Sequence, residues 1–180
     1  MKPCLSLPEG RLRPTEPGDL NAVLALLHDP DVRRFLCDDI MLPRATVADM
    51  LARSDTLAAR GLGLWVIETS RGSVAGLAGL EPVSAEIAVA ADMAGKIEPL
   101  IAIDPAYWGR GLARGALEAL IDYARDTLGL TELVASVDVP NHRSRQLMQR
   151  CGFTDHGRAT GPAHGLVLYR MAFGGPATAE

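Results

Sequence analysis

The feature that most limits the fold is a strand that runs into a glycine-rich turn and then into a long amphipathic helix. Apolar residues predominate over 97–103, and over 109–128 they recur along one helical stripe. Beyond this helix, the pattern predicts a strand over 133–139, a helix over 141–151 and a last strand over 166–173. The second half of the chain therefore alternates strands with helices, which is typical of an α/β domain.

The first third of the chain is predicted to be mainly helical. A short strand over 11–14 precedes helices over 19–27 and 32–37 and a third helix that reaches about residue 60. The stretch Thr46-Val47-Ala48-Asp49 resembles a capping box ahead of this third helix. Helices should therefore precede most of the sheet.

A hairpin is predicted next, from two apolar segments on either side of a turn. The segments 64–69 and 74–80 flank Arg71-Gly72, as expected for two antiparallel strands. Residues 81–96 are rich in alanine and fit either a long strand with a loop or an extended excursion. The sequence leaves both alternatives open.

Length and composition predict a single globular domain. The chain has 180 residues, of which 48% are hydrophobic and 22% charged, close to ordinary globular usage. We expect a flexible leader over residues 1–10, one domain over 11–173 and a flexible tail over 174–180, which is rich in Gly, Ala and Pro.

Charge and cysteine usage argue against several kinds of partner. Lys plus Arg number 18 and Asp plus Glu 22, a formal net charge of -4, which disfavours a wide surface for nucleic acid. No apolar run approaches the roughly 20 residues of a membrane span, so we expect a cytoplasmic protein without a membrane partner. Cys4, Cys37 and Cys151 lie in unrelated contexts without metal spacing, so we expect no disulfide framework and no metal.

The glycine-rich turn has the chemistry of an anion site. Gly109 and Gly111 permit close approach of the backbone, and the first N–H groups of the following helix add partial positive charge. Arg110 and Arg114, four residues apart, offer forked donors to phosphate oxygens. The turn can hold a pyrophosphate; alternatively, the glycines only tighten the turn and the arginines are solvated.

The same stretch resembles a known family. The run from Asp104 to Ala113 looks like the acetyl-CoA loop of the GNAT acetyltransferase superfamily, with Trp108 in place of the usual first Gln or Arg. Four further motifs are typical of its RimJ/RimL-like branch: Leu12-Arg13-Pro14, Asp29-Pro30-Asp31-Val32, Asn141-His142-Arg143-Ser144 and Gly152-Phe153. The resemblance covers roughly residues 11–173.

This resemblance implies both a fold and a set of cofactor contacts. The fold would be α/β (α+β), a mixed, mostly antiparallel sheet flanked by helices and splayed between its fourth and fifth strands, here 97–103 and 133–139. Pantetheine would pair with the first of these strands, and the diphosphate would lie on backbone N–H groups. The implied CoA contacts are Ile101, Ala102, Ile103, Trp108, Gly109, Arg110, Gly111, Leu112, Ala113, Arg114, Asn141 and Arg143.

Two catalytic residues follow from the same resemblance. Glu98 lies where the branch commonly has a glutamate and would take the proton from the acceptor amine; alternatively, it orients substrate or pairs with Lys96 or an arginine. The neighbouring Pro99 leaves the direction of Glu98 open. Where many relatives have a proton-donating tyrosine this chain has Met148, so Ser144 is the alternative donor to the thiolate, unless it is an ordinary first-turn serine.

The implied activity is acetyl transfer from acetyl-CoA, as co-substrate, to a primary amine without a metal. The acceptor would be a protein N-terminal α-amine or a small-molecule amine, bound by segments 34–50 and 160–169, which contain the fewest residues of the motifs. One alternative is a catalytically silent CoA-binding sensor or interaction module, and another is an enzyme for a different acyl donor or acceptor. The sequence is compatible with a monomer or a homodimer.

Overall fold

Eight strands form two hydrogen-bonded sheets in the computed structural model, which describes residues 2–174. The first sheet has the order β1-β2-β3-β4-β5, and the second has the order β6-β8-β7, with antiparallel pairing wherever the register is defined. The strands are β1 Leu5–Leu7, β2 Gly10–Pro14, β3 Gly63–Thr69, β4 Val74–Pro82, β5 Ile97–Ile103, β6 Glu132–Asp138, β7 Thr154–Thr160 and β8 Gly165–Ala172.

Six α-helices connect these strands. They are α1 Leu20–His28, α2 Pro30–Leu36, α3 Arg44–Leu57, α4 Ala85–Ala91, α5 Leu112–Asp122 and α6 His142–Arg150. A π-helical turn, Tyr123–Thr127, follows α5 directly. Across residues 2–174, no helix is both long and apolar enough to cross a membrane.

The described chain divides into two compact units. Residues 2–81 and 99–120 form the first unit, and residues 82–98 and 121–174 form the second. Each unit has its own apolar cluster.

The core of the first unit forms where α1 and α3 cover the five-stranded sheet. Val23 and Leu27 lie four residues apart on α1, and Val47 and Leu51 do so on α3, so each pair occupies one helix face. Both faces belong to the same buried cluster as the strand residues Leu64, Leu77 and Ala102. Burial of these spaced apolar residues explains why the N-terminal helices form.

The core of the second unit lies between α4 and the three-stranded sheet. The Ser84 hydroxyl accepts a hydrogen bond from the Ile87 N–H at 3.3 Å and caps α4, and Asp92, with φ 53°, ends the helix in a left-handed conformation. The buried apolar side chains are Val83, Ala88, Met93, Val134, Leu166 and Leu168. Residues 81–96 therefore contain a short capped helix rather than the long strand or extended excursion that we expected.

The predicted fold class is confirmed: an antiparallel sheet of five strands is flanked by helices in an α/β arrangement. The hairpin of β3 and β4 is also confirmed, as is the strand over 97–103. The predicted strands over 97–103 and 133–139 correspond to β5 and β6 and belong to different sheets.

Three local predictions were wrong. The capping box at Thr46 is absent because α3 begins at Arg44, directly after Pro43, so that Thr46 already lies inside the helix. The helix over 109–128 begins only at Leu112, because Gly109 and Gly111 have positive φ angles that end any helix before them. The strand β7 was missed, since it is a largely exposed strand with no apolar alternation.

The N-terminal segment is ordered, contrary to our expectation of a flexible leader over 1–10. Strand β1 pairs with β2, with Leu5 opposite Leu12. The Lys2 side chain is only 5% exposed. Backbone pairing and side-chain burial hold this segment to the sheet, while residues 175–180 of the expected tail lie outside the described residues.

A buried polar cluster anchors Lys2. Its Nζ donates to the Ser54 hydroxyl at 2.8 Å and to the Leu64 carbonyl at 2.6 Å, and it lies 4.6 Å from the centroid of the Trp65 ring. The Ser54 Oγ also accepts from the Leu64 N–H at 2.7 Å. Burial lowers the pKa of the Lys2 ammonium to about 8, against the opposing effect of Asp55 and Glu81.

The stability of the fold should therefore rise with pH in the alkaline range through Lys2. The unfolded chain keeps this proton up to a pH of about 10.4, whereas the folded chain releases it near pH 8, so the unfolded state binds more protons between these values. We expect wild type to gain stability relative to Lys2→Met as the pH rises from 8 to 10, measured by urea unfolding. A constant difference between the two proteins would contradict this account.

Candidate active site

The turn after β5 is built by a short capping motif. The Asp104 carboxylate accepts a hydrogen bond from the Ala106 N–H at 2.8 Å, and the Asp104 N–H donates to the Ala75 carbonyl at 2.9 Å. Pro105–Tyr107 then forms one 3₁₀ turn. The Asp-Pro-x-Tyr sequence therefore fixes how the chain leaves the sheet.

Trp108 braces this turn from the side. Its indole Nε1 donates to the Ile103 carbonyl at 2.8 Å, and the side chain is 38% exposed. Its backbone is extended, with φ −63° and ψ 153°. This hydrogen bond to the end of β5 explains how a tryptophan fits at the position where the GNAT loop pattern has Gln or Arg. The sequence did not predict this role of Trp108.

Gly109 and Gly111 leave an open surface above the turn. Their φ angles are +76° and +77°, in the left-handed region that favours glycine. A Cβ atom added at either position would meet nothing within 4 Å. Helix α5 begins immediately afterwards, and the N–H groups of its first turn have no partners within the helix. The turn therefore combines accessible backbone with the positive end of a helix, as an anion site requires.

The two arginines beside the turn already have protein partners. The Arg110 guanidinium lies 5.2 Å from the centroid of the Tyr107 ring and donates to the Ala106 carbonyl at 3.1 Å. The Arg114 Nε donates to the Glu118 carboxylate at 2.8 Å. These contacts hold both guanidinium groups beside the turn.

The tip of the β1–β2 hairpin borders the start of α5. A pocket of about 210 Å³ lies between Leu7-Pro8-Glu9 and the first turns of the helix. A Cβ atom at Gly115 would lie 3.4 Å from the Pro8 ring, an ordinary van der Waals distance, so the hairpin packs against this face of the helix. This neighbour was not predicted, because residues 1–10 were expected to form a flexible leader.

The second unit carries the residues at the start of α6. The Asn141 side chain accepts a hydrogen bond from the Ser144 N–H at 3.1 Å, which confirms the predicted helix cap. Arg143 is exposed, Ser144 is half-buried, and Met148 is 4% exposed. The Ser144 hydroxyl therefore lies in the first turn of a capped helix.

Glu98 also belongs to the second unit and is half-buried. Its Oε2 lies 3.4 Å from the Ser136 hydroxyl on β6, which donates to it. Lys96, the alternative partner that we considered for Glu98, forms an ion pair with Glu132, and Arg170 pairs with the same carboxylate at 2.6 Å. The hydrogen bond from Lys96 is the main cause that holds the pKa of Glu132 below its usual value.

The remaining candidate chemistry concerns thiols and metals. Within the described residues the cysteines form no disulfide bond with one another, and burial raises the pKa of the Cys37 thiol to about 11, so this thiol stays protonated at neutral pH. Within the part of the chain that the structure describes, no three His, Cys, Asp or Glu side chains are arranged to hold a metal ion.

The five-stranded sheet, whose last strand leads through a glycine turn into a helix, matches the fold of GNAT acetyltransferase structures. The chain belongs to the GNAT family, since the model of the acetyltransferase (GNAT) domain matches residues 11–154. It is accordingly an N-acetyltransferase.

Solved structures show the same fold across nearly the whole chain. A GNAT-family acetyltransferase from Bordetella pertussis superposes with a TM-score of 0.81 and 20% identity, covering 95% of this chain and 100% of that one. RimL, an alpha-N-protein acetyltransferase solved in complex with coenzyme A, gives a TM-score of 0.74 and 18% identity, covering 94% and 98%.

One curated relative matches over a shorter segment. The FsC-acetyl coenzyme A-N(2)-transacetylase of Aspergillus fumigatus is 35% identical over 52 residues, which is 29% of this chain. The match spans only 22% of the length of that relative.

Proposed function

We propose that this chain transfers the acetyl group of acetyl-CoA to a primary amine, either a protein N-terminal α-amine or a small-molecule amine. The observation that carries the proposal is the open turn at Gly109 and Gly111, which is shaped for a diphosphate at the start of α5. The likeness to RimL supports the RimJ/RimL-like branch and an amine acceptor.

Backbone groups supply most of the proposed cofactor contacts. The diphosphate is bound by the N–H groups of residues 109–113, and the pantetheine amides pair with residues 101–103 of β5, which ends the order of its sheet. Trp108, Arg110 and Arg114 border the diphosphate, and Asn141 and Arg143 contribute from the start of α6. In this arrangement CoA binding depends more on accessible backbone N–H groups than on particular side chains.

Direct attack on the thioester is the proposed reaction. A primary ammonium is not nucleophilic, and its pKa of roughly 8 for an α-amine or 10.4 for a lysine means that a proton must leave first. Glu98 accepts that proton, the amine nitrogen then bonds to the carbonyl carbon, and the C–S bond breaks while the nitrogen loses its second proton to solvent. The CoA thiolate takes its proton through the Ser144 hydroxyl, which solvent replenishes. The products are an N-acetyl amide and CoA.

Cofactor binding should be visible as thermal stabilisation. A ligand at 100 times its Kd adds about 2.7 kcal/mol to the free energy of unfolding, so melting temperatures should rise with either CoA or acetyl-CoA. Adenosine monophosphate (AMP), which lacks the diphosphate and the pantetheine of CoA, is the control and should change the melting temperature little. An unchanged melting temperature at millimolar CoA and acetyl-CoA would contradict the proposal.

An amine screen that follows free thiol release identifies the acceptor. Peptides with varied N-terminal residues and small amines are offered together with acetyl-CoA, and turnover above the rate of thioester hydrolysis marks an acceptor. Binding of CoA without turnover on any amine would favour a sensor, and turnover with longer acyl donors alone would favour a different acyl group.

A further inference from the structure

Ser136 is a polar residue in an otherwise apolar part of β6. It lies between Ala135 and Val137, both buried, and its partner across the ladder in β8 is Leu168. Val134, two residues earlier and on the same face, belongs with Leu168 to the apolar cluster under α4. Valine would pack well at such a position, whereas a half-buried hydroxyl costs free energy unless it is hydrogen-bonded.

The partner of this hydroxyl is the Glu98 carboxylate. The Ser136 Oγ donates to Glu98 Oε2 at 3.4 Å, which is longer than a typical O–H···O hydrogen bond. A hydroxyl donor favours the ionised form of a carboxylate and restricts its rotation. Both effects are what a general base requires, since it must be unprotonated and correctly oriented before it takes a proton.

We propose that Ser136 is a positioning residue for acetyl transfer, which holds the Glu98 carboxylate ionised and correctly oriented through its hydroxyl. This inference rests on the proposed role of Glu98 as the base. It adds a residue that neither the loop motif nor the helix-start motif contains.

Other charges on this sheet are paired with each other. Lys96 and Arg170 both pair with Glu132, at the start of β6. At its other end, the Asp138 carboxylate lies 3.8 Å from Nδ1 of His164. These groups are unchanged by a substitution at Ser136, so their titration contributes equally to the pH profiles of wild type and variant.

The test is the pH profile of kcat/KM for Ser136→Ala with an acceptor from the amine screen. Loss of the donor should move the acidic limb to higher pH by about one unit, so that activity falls up to about tenfold below the limb and converges with wild type above it. Titration of the acceptor amine itself is common to both enzymes and cancels in the ratio of their rates. CoA affinity should not change.

A matched pair of variants separates the hydroxyl from packing. Ser136→Thr and Ser136→Val have nearly the same shape, and both suit a strand, but only threonine keeps the donor. The threonine variant should retain the wild-type profile and the valine variant should show the shifted limb, with melting temperatures checked for each. If Ser136→Ala does not fold, the comparison of Ser136→Thr with Ser136→Val still tests whether the hydroxyl is needed.

Four outcomes would overturn the inference. A wild-type profile for both Ser136→Ala and Ser136→Val shows that the hydroxyl is dispensable. Equal loss at all pH values, or failure of Ser136→Thr to restore the profile, shows a structural role only. A wild-type pH profile for Glu98→Gln shows that Glu98 is not the base, and the proposed function then fails at that step together with this inference. If Glu98→Gln is impaired but Ser136→Ala has a wild-type profile, only this inference is wrong.

Discussion

Substitution Gly111→Asp is expected to abolish CoA binding in a protein that still folds. The added side chain would enter the open space over the turn, where a Cβ meets nothing within 4 Å, so the fold has room for it. The diphosphate would then face a carboxylate at close range, and like charges about 4 Å apart repel by about 1 kcal/mol in water and about 4 kcal/mol near a protein surface. We expect the Kd for CoA, measured by calorimetry, to rise at least about 100-fold.

Gly72 offers a matched control for this substitution. It has φ +78° in the turn between β3 and β4, and a Cβ there also meets nothing within 4 Å. Gly72→Asp therefore imposes the same left-handed strain of about 1 kcal/mol and adds the same charge, at a turn with no proposed role. Both variants should lose similar stability, and Gly72→Asp should bind CoA like wild type. A folded Gly111→Asp that keeps its affinity would show that the diphosphate lies elsewhere.

Elements with strong apolar periodicity were predictable from the sequence. The stripe of α5 buries spaced apolar side chains, so its pattern records the burial directly. The motif from Asp104 to Ala113 also located the glycine turn, because positive φ at Gly109 and Gly111 demands that residue type.

Other elements depend on partners that local sequence does not show. Strand β7 is held by backbone pairing to β8 and stays largely exposed, so its side chains carry no alternation. Helix α4 has the capping signal at Ser84, but its alanine-rich sequence fits several conformations, and packing against β6 and β8 decides between them. Ordering of the N-terminal segment depends on Lys2, whose partner Ser54 is 52 positions away.

The candidate site likewise has one part that the sequence predicted and another that it did not. Its cofactor turn is a contiguous motif and was assigned from the sequence alone. Ser136 was not, since its contact with Glu98 joins residues 38 positions apart, and a serine in a strand has no motif of its own. The hydrogen bonds of Arg110 to Ala106 and of Arg114 to Glu118 were not predicted either. The spacing of residues shows which side chains are close but does not identify the partner that each one contacts.

Substitution Glu98→Gln is expected to lower kcat/KM by about 100-fold or more while leaving CoA affinity nearly unchanged. The amide keeps the size of the side chain and can still accept a hydrogen bond from Ser136, but it cannot take a proton. The loss should be greatest at low pH, where the acceptor amine is still protonated and depends on a base. Assays of thiol release across the pH range, with the concentration of an acceptor from the screen varied below and above its KM, measure this loss.

Ser144→Ala provides the contrast, because a donor to the leaving thiolate acts on a different proton. Its Asn141 cap uses the Ser144 backbone N–H, so the substitution should leave α6 intact. We expect kcat to fall at every pH, and the loss to shrink with an acyl donor whose leaving thiol has a lower pKa and needs no protonation. Glu98→Gln should show no such dependence on the thiol. If Glu98→Gln keeps wild-type kcat/KM at all pH values, the amine arrives deprotonated or another group is the base, and the assignment of Glu98 is wrong.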